Sequence, residues 1–501
     1  MPMEFSGLWG KPTPANPCCF PGLAPVRIPL APLPSLLFLS LLAGGRPAVA
    51  AVALPSDLDV ANFGARGEDI PADTAAIQHA IDLCAQRGGG RVVVPAGRTY
   101  TVATLVLKSH VELHLEPGSL LQGSPHAADY TAFALPPVNF DPGPPPKMGV
   151  VIYADGAEDV AVTGAGRIDG NEMAYVTSVG PYIYKCVDVR PFLMVLKNCR
   201  HVLLRDFTLS NSAFWTLRLL GCDDAFLDGL RIDGDLKMPN NDGLDIDRSS
   251  NVRVVGCNIS TGDDCISLKA VPLSEGITKD CENVVISGCT LRSRSSGVVL
   301  GCDVGGQIHD VVVSDCVIRD SHRGVAVRLS LGGSIERALF SNLIIQTKIF
   351  DPMWWGRGEP IQIESVRWNA TSDLGVIRDI RFSNLMCTGE NGAVLYADEP
   401  GRIQNISFDH VSIRVVRPTE FAGGQQDLRP TAKEPLPTLA TSGFLLRHAE
   451  NVTFRDCRVT WGPNPPPFFT HVLDAEASPG LVDEGLSGEA AQPGMAAKVI
   501  R

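Results

Sequence analysis

Most of the chain is written in short apolar runs, each entered through a polar residue and left through a turn. The entry pairs are Asp159-Val160, His201-Val202, Asp224-Ala225, Asn251-Val252, Asn283-Val284, Asp310-Val311, Arg337-Ala338, Asp379-Ile380, Asn405-Ile406 and Asn451-Val452. Within each unit apolar and polar positions alternate, which is the period of a strand with one buried face. The units recur every 23 to 46 residues, and five of the nine intervals fall between 23 and 27. The short intervals predict single coils; the long ones predict coils with inserted loops, or a skipped coil. A period in the mid-twenties with one buried strand face per coil predicts an all-β parallel β-helix, whose repeats bury their apolar faces only by stacking on one another. The asparagines at 251, 283, 405 and 451 are expected to stack as amide ladders at the turns.

Two stretches break this rhythm before it starts. From Asp73 to Cys84 the apolar positions Ala76, Ile77, Ala80, Ile81 and Cys84 form a helical stripe, with Asp73 as the expected cap. Gly88-Gly89-Gly90 ends it, and Arg91 to Pro95 predicts a strand. A helix there would cover the first coil, whose core and unpaired edge would otherwise meet water. Further upstream, the apolar run Ile28 to Leu42 follows Arg27 and precedes Ala48-Val49-Ala50. That layout predicts a secretory signal cleaved near Ala50, and hence a secreted or periplasmic protein. The run is short and broken by proline for a membrane span, which is the competing reading. The 26 residues before Arg27 are long for the charged region of a signal and fit a misassigned start. Residues 1–50 are therefore read as signal peptide and residues 55–501 as one domain. Inserts are expected at Asn139 to Lys147, Asn171 to Val187, Thr347 to Glu359 and Arg417 to Leu439, the last as a mobile surface loop.

Composition sharpens the picture without changing it. Forty-nine glycines and 38 prolines suit a turn-rich β protein. A net charge of −12 with no basic patch argues against nucleic acid and anionic membranes as partners. Fourteen cysteines would suggest disulfides, but Cys257, Cys289, Cys316 and Cys457 each fall five residues after an entry valine. Equal phase in successive coils predicts a buried column of thiols acting as small hydrophobes. No Cys-x-x-Cys pair points to structural zinc.

One stretch, Pro239 to Ala270, carries chemistry. It holds Asn240-Asn241-Asp242 and Gly262-Asp263-Asp264, with Asp242 and Asp263 separated by 21 residues, close to one coil. The two clusters are expected to stack on one face. Three carboxylates so gathered suit a glycosidic bond, one held protonated by its negative neighbours while the others activate water. A lone aspartate in such a repeat is ordinarily a turn former; two clusters at this spacing exceed what turns require.

These motifs resemble the Asn-x-Asp and x-Asp-Asp signatures of glycoside hydrolase family 28, the polygalacturonases and rhamnogalacturonases. The stretch from Asp57 through the helix also resembles that family's opening. The resemblance implies a single-stranded right-handed parallel β-helix with a short N-terminal capping helix, and an inverting, metal- and cofactor-independent hydrolase of pectic polysaccharide or oligosaccharide. Asp263 would be the general acid, with Asp242 and Asp264 holding the water; Asp245 would orient the site. Two further family motifs are altered. Ser295-Ser296-Gly297 stands where the family has Gly-His-Gly, and a serine carries no charge at neutral pH. Arg328-Leu329-Ser330 stands for Arg-Ile-Lys, and the lost lysine would cost roughly 1.5–3 kcal/mol of binding. Substrate contacts are therefore expected from Asn240, Lys269, Ser296, Asp303, Arg328 and Trp355. Lys269 is equally readable as a solvated strand end, Trp355 as loop packing, and His322 as a surface or turn residue. Trp215, in Phe214-Trp215-Thr216, resembles another family motif and is read as packing. The competing functions are a Ca²⁺-dependent polysaccharide lyase on the same fold and a binding-only solenoid.

Overall fold

The computed structural model describes residues 57–135, 147–272, 276–429, 431 and 440–501. The expected signal segment and most of the proline-rich insert at 139–147 lie outside the described residues. Two parallel sheets carry the solenoid, one of 23 strands and one of 14, the latter counting the strand Ala132–Ala134, which joins it antiparallel. A coil supplies up to three strands, as in Ser250–Val255 and Asn258–Thr261 for the larger sheet, then Ile266–Ala270 for the smaller. The chain between the two aspartate clusters thus forms two strands of the larger sheet, bent at Gly256, whose φ is 63°.

The ten entry residues share one backbone conformation. From Asp159 to Asn451 their φ angles all lie between 52° and 58°. Left-handed backbone is tolerated best by Asn and Asp, which explains why eight of the ten are of these types. Each such residue is skipped in the strand pairing: Glu158 and Val160 pair with Arg200 and Val202, while Asp159 and His201 do not pair. Two consecutive polar residues can therefore face outward before the next apolar side chain turns in. The expected amide ladder forms only in part. Asn451 donates to Asn405 (3.1 Å), but Asn405 donates to Asp379 and Asn251 to Asp223.

The core runs the length of the coil as stacked columns. Phe340, Phe382, Phe408 and Phe454 stack at 5.0, 5.1 and 5.4 Å between ring centroids. All described cysteines are free thiols. Cys257, Cys289 and Cys316 precede the paired residues Asn258, Thr290 and Val317 and so stack in one column. Leu343, Leu385 and Val411 continue it to Cys457, all buried. Thiols and aliphatic groups thus occupy equivalent positions, as expected of cysteine serving as a hydrophobe.

The helix spans Ile70–Gln86 and buries Ala76, Ile77, Ala80, Ile81 and Cys84 into the same core. Its cap is Asp69, which accepts from Ala72 N at 3.0 Å; Asp73 is not the cap. Asp73 lies buried in the first turn, where its Oδ1 accepts from the amides of Arg66 and Gly67. The helix starts earlier than the apolar stripe because Pro71 suits its first turn. No helix among the described residues is long and apolar enough to cross a membrane.

Candidate active site

Seven strands of the smaller sheet frame the site: β1 (Phe192–Lys197), β2 (Leu217–Leu220), β3 (Leu244–Asp247), β4 (Ile266–Ala270), β5 (Ser296–Val304), β6 (Arg323–Leu329) and β7 (Ile361–Ser365). They pair in parallel in that order. Asp242 and Asp263-Asp264 sit on the turns leading into β3 and β4. Because Leu244 pairs with Ile266, the two turns stack in register. Main-chain bonds continue between coils along this row: Thr216 N to Asp242 O, Gly243 N to Asp264 O and Cys265 N to Ser296 O, at 2.8–3.0 Å.

Asn241, which the motif left unassigned, latches the two clusters together. Its Oδ1 accepts from the amides of Gly262 (2.8 Å) and Asp263 (3.1 Å), and its Nδ2 donates to Asp235 O. Gly262 is required there, since a Cβ would lie 2.3 Å from Met238 O. Asp263 Oδ1 accepts from Asp264 N, and Asp264 Oδ1 accepts from Ser296 N at 2.8 Å. Ser296 thus meets the trio through its backbone. Asn240 is held by Arg190, whose guanidinium also grips Pro239 O and Ala213 O. Neither Asn241 nor Arg190 stood out in the sequence, because apart from the Asn240 side chain their hydrogen-bonded partners here are main-chain atoms.

One oxygen from each of Asp242, Asp263 and Asp264 lies within 4.8 Å of the others. Asp242 and Asp263 are buried and Asp264 is half-buried. Burial, then the charge of Asp264, pushes Asp263 up to about 7. Burial, then Asp263 and Asp245, pushes Asp242 well above the carboxylate range. Both shifts favour the acid form, so Asp263 and Asp242 can serve as proton donors to a leaving group. The same three oxygens are the set that a hard divalent cation would use.

Behind the trio lies a charged layer. Asp245 is fully buried with neither oxygen hydrogen-bonded, and burial pushes it well up. Lys269 Nζ lies 2.9 Å from Asp303 and 3.7 Å from Asp245, over the ring of buried Trp215 at 4.6 Å. Burial alone would lower this lysine, but Asp303, Asp245 and Asp242 together hold it above its ordinary value. Lys269 is thus no solvated strand end, and with Asp303 it forms a buried pair. Asp247 pairs with fully buried Arg218 at 2.5 Å.

Toward the C-terminal side the sheet face is covered. Arg328 Nε donates to Glu364 at 2.5 Å, so it too is engaged by a carboxylate. Ser330 is buried with its hydroxyl unpartnered. Residues 425–429, expected to be a mobile surface loop, instead form a strap on the face of β6 and β7. Gln426, Asp427 and Leu428 are buried. Asp427 accepts from Gly356 N and Arg429, and its carbonyl from Gln362. Trp355 is half-buried, stacked on Trp354 at 5.5 Å in the loop that meets this strap. His322 is not a surface residue. It is buried, with Nδ1 donating to Trp355 O and Nε2 accepting from Phe350 N. Burial, then the charges of Arg323 and Arg357, lowers it to about 3 and keeps it neutral.

A family model described as "Glycosyl hydrolases family 28" matches residues 84–417. A probable polygalacturonase of Arabidopsis thaliana is 26% identical over 266 residues, 48% of this chain and 53% of that protein. An exo-poly-alpha-D-galacturonosidase of Dickeya chrysanthemi is 26% identical over 306 residues, 52% of this chain and 49% of that protein. The chain spans about half the length of the curated relatives it matches. Among solved structures, a family 28 exopolygalacturonase of Yersinia enterocolitica superposes with a TM-score of 0.60 at 19% identity, covering 87% of this chain and 79% of that one. An exopolygalacturonase of Thermotoga maritima superposes at 0.58 and 19% identity, covering 87% and 93%. At these identities the two structures share the fold.

Proposed function

We propose that this chain, which belongs to glycosyl hydrolases family 28, hydrolyses α-glycosidic bonds in a pectic polysaccharide or oligosaccharide. The observation that carries the reading is the convergence of Asp242, Asp263 and Asp264 on adjacent coils, with Asp263 raised to about 7. Asp263 in its acid form donates its proton to the glycosidic oxygen as the bond to the anomeric carbon breaks. Asp264, the more exposed member, accepts a proton from the attacking water, and Asp242 helps to hold that water. The water oxygen becomes the new anomeric hydroxyl, and one proton has moved through the enzyme from water to leaving group. Burial, then the charge of Asp264, keeps a proton on Asp263, the donor that two-carboxylate hydrolysis requires.

Inversion at the anomeric carbon is part of the proposal. It is testable in an informative way, because the general separation rule would read carboxylates this close as a retaining pair. Proton NMR of the first product formed tells them apart: the opposite anomer supports inversion, and the same anomer refutes it. The reaction itself is tested by incubating the protein, with chelator, on polygalacturonate, rhamnogalacturonan and short pectic oligosaccharides beside Asp263→Asn. New reducing ends without ultraviolet-absorbing product, absent from the variant, are expected. Unsaturated product that disappears in chelator would instead mean a lyase using the three aspartates to hold Ca²⁺. Export through the apolar run at 28–42 with cleavage near Ala50 belongs to the same proposal, and N-terminal sequencing of the exported protein tests it.

A further inference from the structure

Arg190 precedes Pro191 and β1 and belongs to none of the motifs that mark the site. It is 8% exposed, and its guanidinium lies over the ring of Phe214 at 5.0 Å. Nη1 donates to Ala213 O (2.8 Å), in the turn before β2, and to Pro239 O (2.7 Å), in the turn before β3. Nη2 donates to Asn240 Oδ1 (2.9 Å). All three partners are neutral oxygens, so this buried cation ties two turns together without cancelling a charge. Burial lowers the guanidinium below its ordinary value, while Cys186, Asp263 and Asp242 pull the other way. The same bonds decide which way the Asn240 amide faces. A guanidinium has donors only, so the atom that meets it is the oxygen, and the NH₂ end points away from Arg190. Asn240 is half-buried, and its Nδ2 bonds nothing among the described residues. The backbone of Asn240 bonds the Asp263 carboxyl. The peptide joining Pro239 to Asn240 is thus gripped at its carbonyl by Arg190 and meets Asp263 with its N–H. Its φ of 58° is left-handed, which an asparagine tolerates.

We propose that Arg190 is a positioning residue of the reaction: it holds the Asn240 peptide against Asp263 and turns the Asn240 amide so that its NH₂ group is offered to a hydroxyl oxygen of the sugar. Arg190 itself meets no sugar. Arginine suits the role because its planar fork fixes three acceptors in two segments at once, which a lysine on its flexible stem does not. The inference rests on the hydrolase reading above, and its failure is distinguishable from the failure of that reading.

The test uses oligogalacturonate and four variants: Asn240→Asp, Asn240→Ala, Arg190→Lys, and Arg190→Lys combined with Asn240→Ala. Asn240→Asp keeps an oxygen on Arg190 and nearly the same shape, but it presents an oxygen to the sugar in place of the NH₂ group. Its kcat/KM should fall ~10- to 100-fold while its urea midpoint stays at or above that of wild type. Arg190→Lys keeps the charge but not the fork, and its kcat per folded molecule should fall on the order of 100-fold. Asn240→Ala should cost ~10- to 100-fold alone but no more than about threefold on top of Arg190→Lys, where the amide is already misplaced. Asn240→Asp within twofold of wild type overturns the proposal, as do losses that multiply in the double variant. An Arg190→Lys enzyme whose loss only tracks its unfolded fraction is what a merely structural residue would give, and it overturns the proposal too. Should Arg190→Lys fail to fold, Asn240→Asp carries the test. If wild type cleaves no pectic substrate, the hydrolase reading fails by itself and amide exchange judges the clamp. The Asn240 N–H should then exchange about tenfold faster in Arg190→Lys than in wild type, and equal rates overturn it.

Discussion

Asp263→Asn should stabilise the protein while abolishing its chemistry, and the gain should grow with pH. Burial and the charge of Asp264 lift the Asp263 carboxyl from 3.8 to about 7. The native state therefore holds this proton more tightly than the unfolded chain does. Stability from this group is fully present below the unfolded value, near pH 4, and is lost as pH rises through about 7. About three units at 1.36 kcal/mol each give a loss of ~4 kcal/mol by pH 8. Asparagine has no proton to surrender and keeps a similar shape. The variant should thus match wild type near pH 4 and exceed it by up to ~4 kcal/mol at pH 8. Urea unfolding of both proteins at pH 4, 6 and 8, followed by far-ultraviolet circular dichroism, measures the difference. A gap that stays constant with pH would refute the argument, because the carboxyl would then not be charged against its surroundings. Activity of the variant should fall by about 10²- to 10⁴-fold over the same range.

Other consequences are as direct. Asn241→Ala strands the buried amides of Gly262 and Asp263 at about 1–3 kcal/mol each, so kcat should drop well over tenfold; kcat within twofold of wild type would remove the latch from the account. Lys269→Met leaves Asp303 and Asp245 without their buried cation, and urea midpoints should report about 3–5 kcal/mol of destabilisation. A loss under 1 kcal/mol would mean that the pair is not buried in solution. Cys257, Cys289 and Cys316 should resist alkylation in the native protein and react fully once it is unfolded, read by mass spectrometry. Labelling of any of the three without unfolding would contradict the packed column.

The features legible in the sequence are those that the fold repeats. An Asn or Asp before an apolar residue marked eight of the ten left-handed entry steps from Asp159 to Asn451, because these types tolerate that backbone best. The cysteines betrayed their column by equal phase. The aspartate trio was legible because adjacent coils convert a spacing of 21 into a contact. Side-chain pairing was not legible. Arg328 meets Glu364 across a 36-residue separation that spans an insert of irregular length. Asp303 finds Lys269 only because both side chains leave the same sheet face. The strap at 425–429 looked like solvent-exposed loop because it is polar, yet its polar groups are spent on Gly356, Gln362, Arg357 and Arg323. His322 was hidden for the same reason, its ring bonded to backbone atoms that no motif encodes.

The strap has a geometric consequence of its own. Coils stack about 4.8 Å apart, so β6, where the strap rests, stands two rises, ~10 Å, beyond the turn that carries Asp264. The open face of the sheet above the trio is therefore bounded about two coils past Asp264, where the buried residues Gln426, Asp427 and Leu428 lie on it. The length of that open face is set by a count of coils, much as the length of a drawer is set by where its stop is fixed.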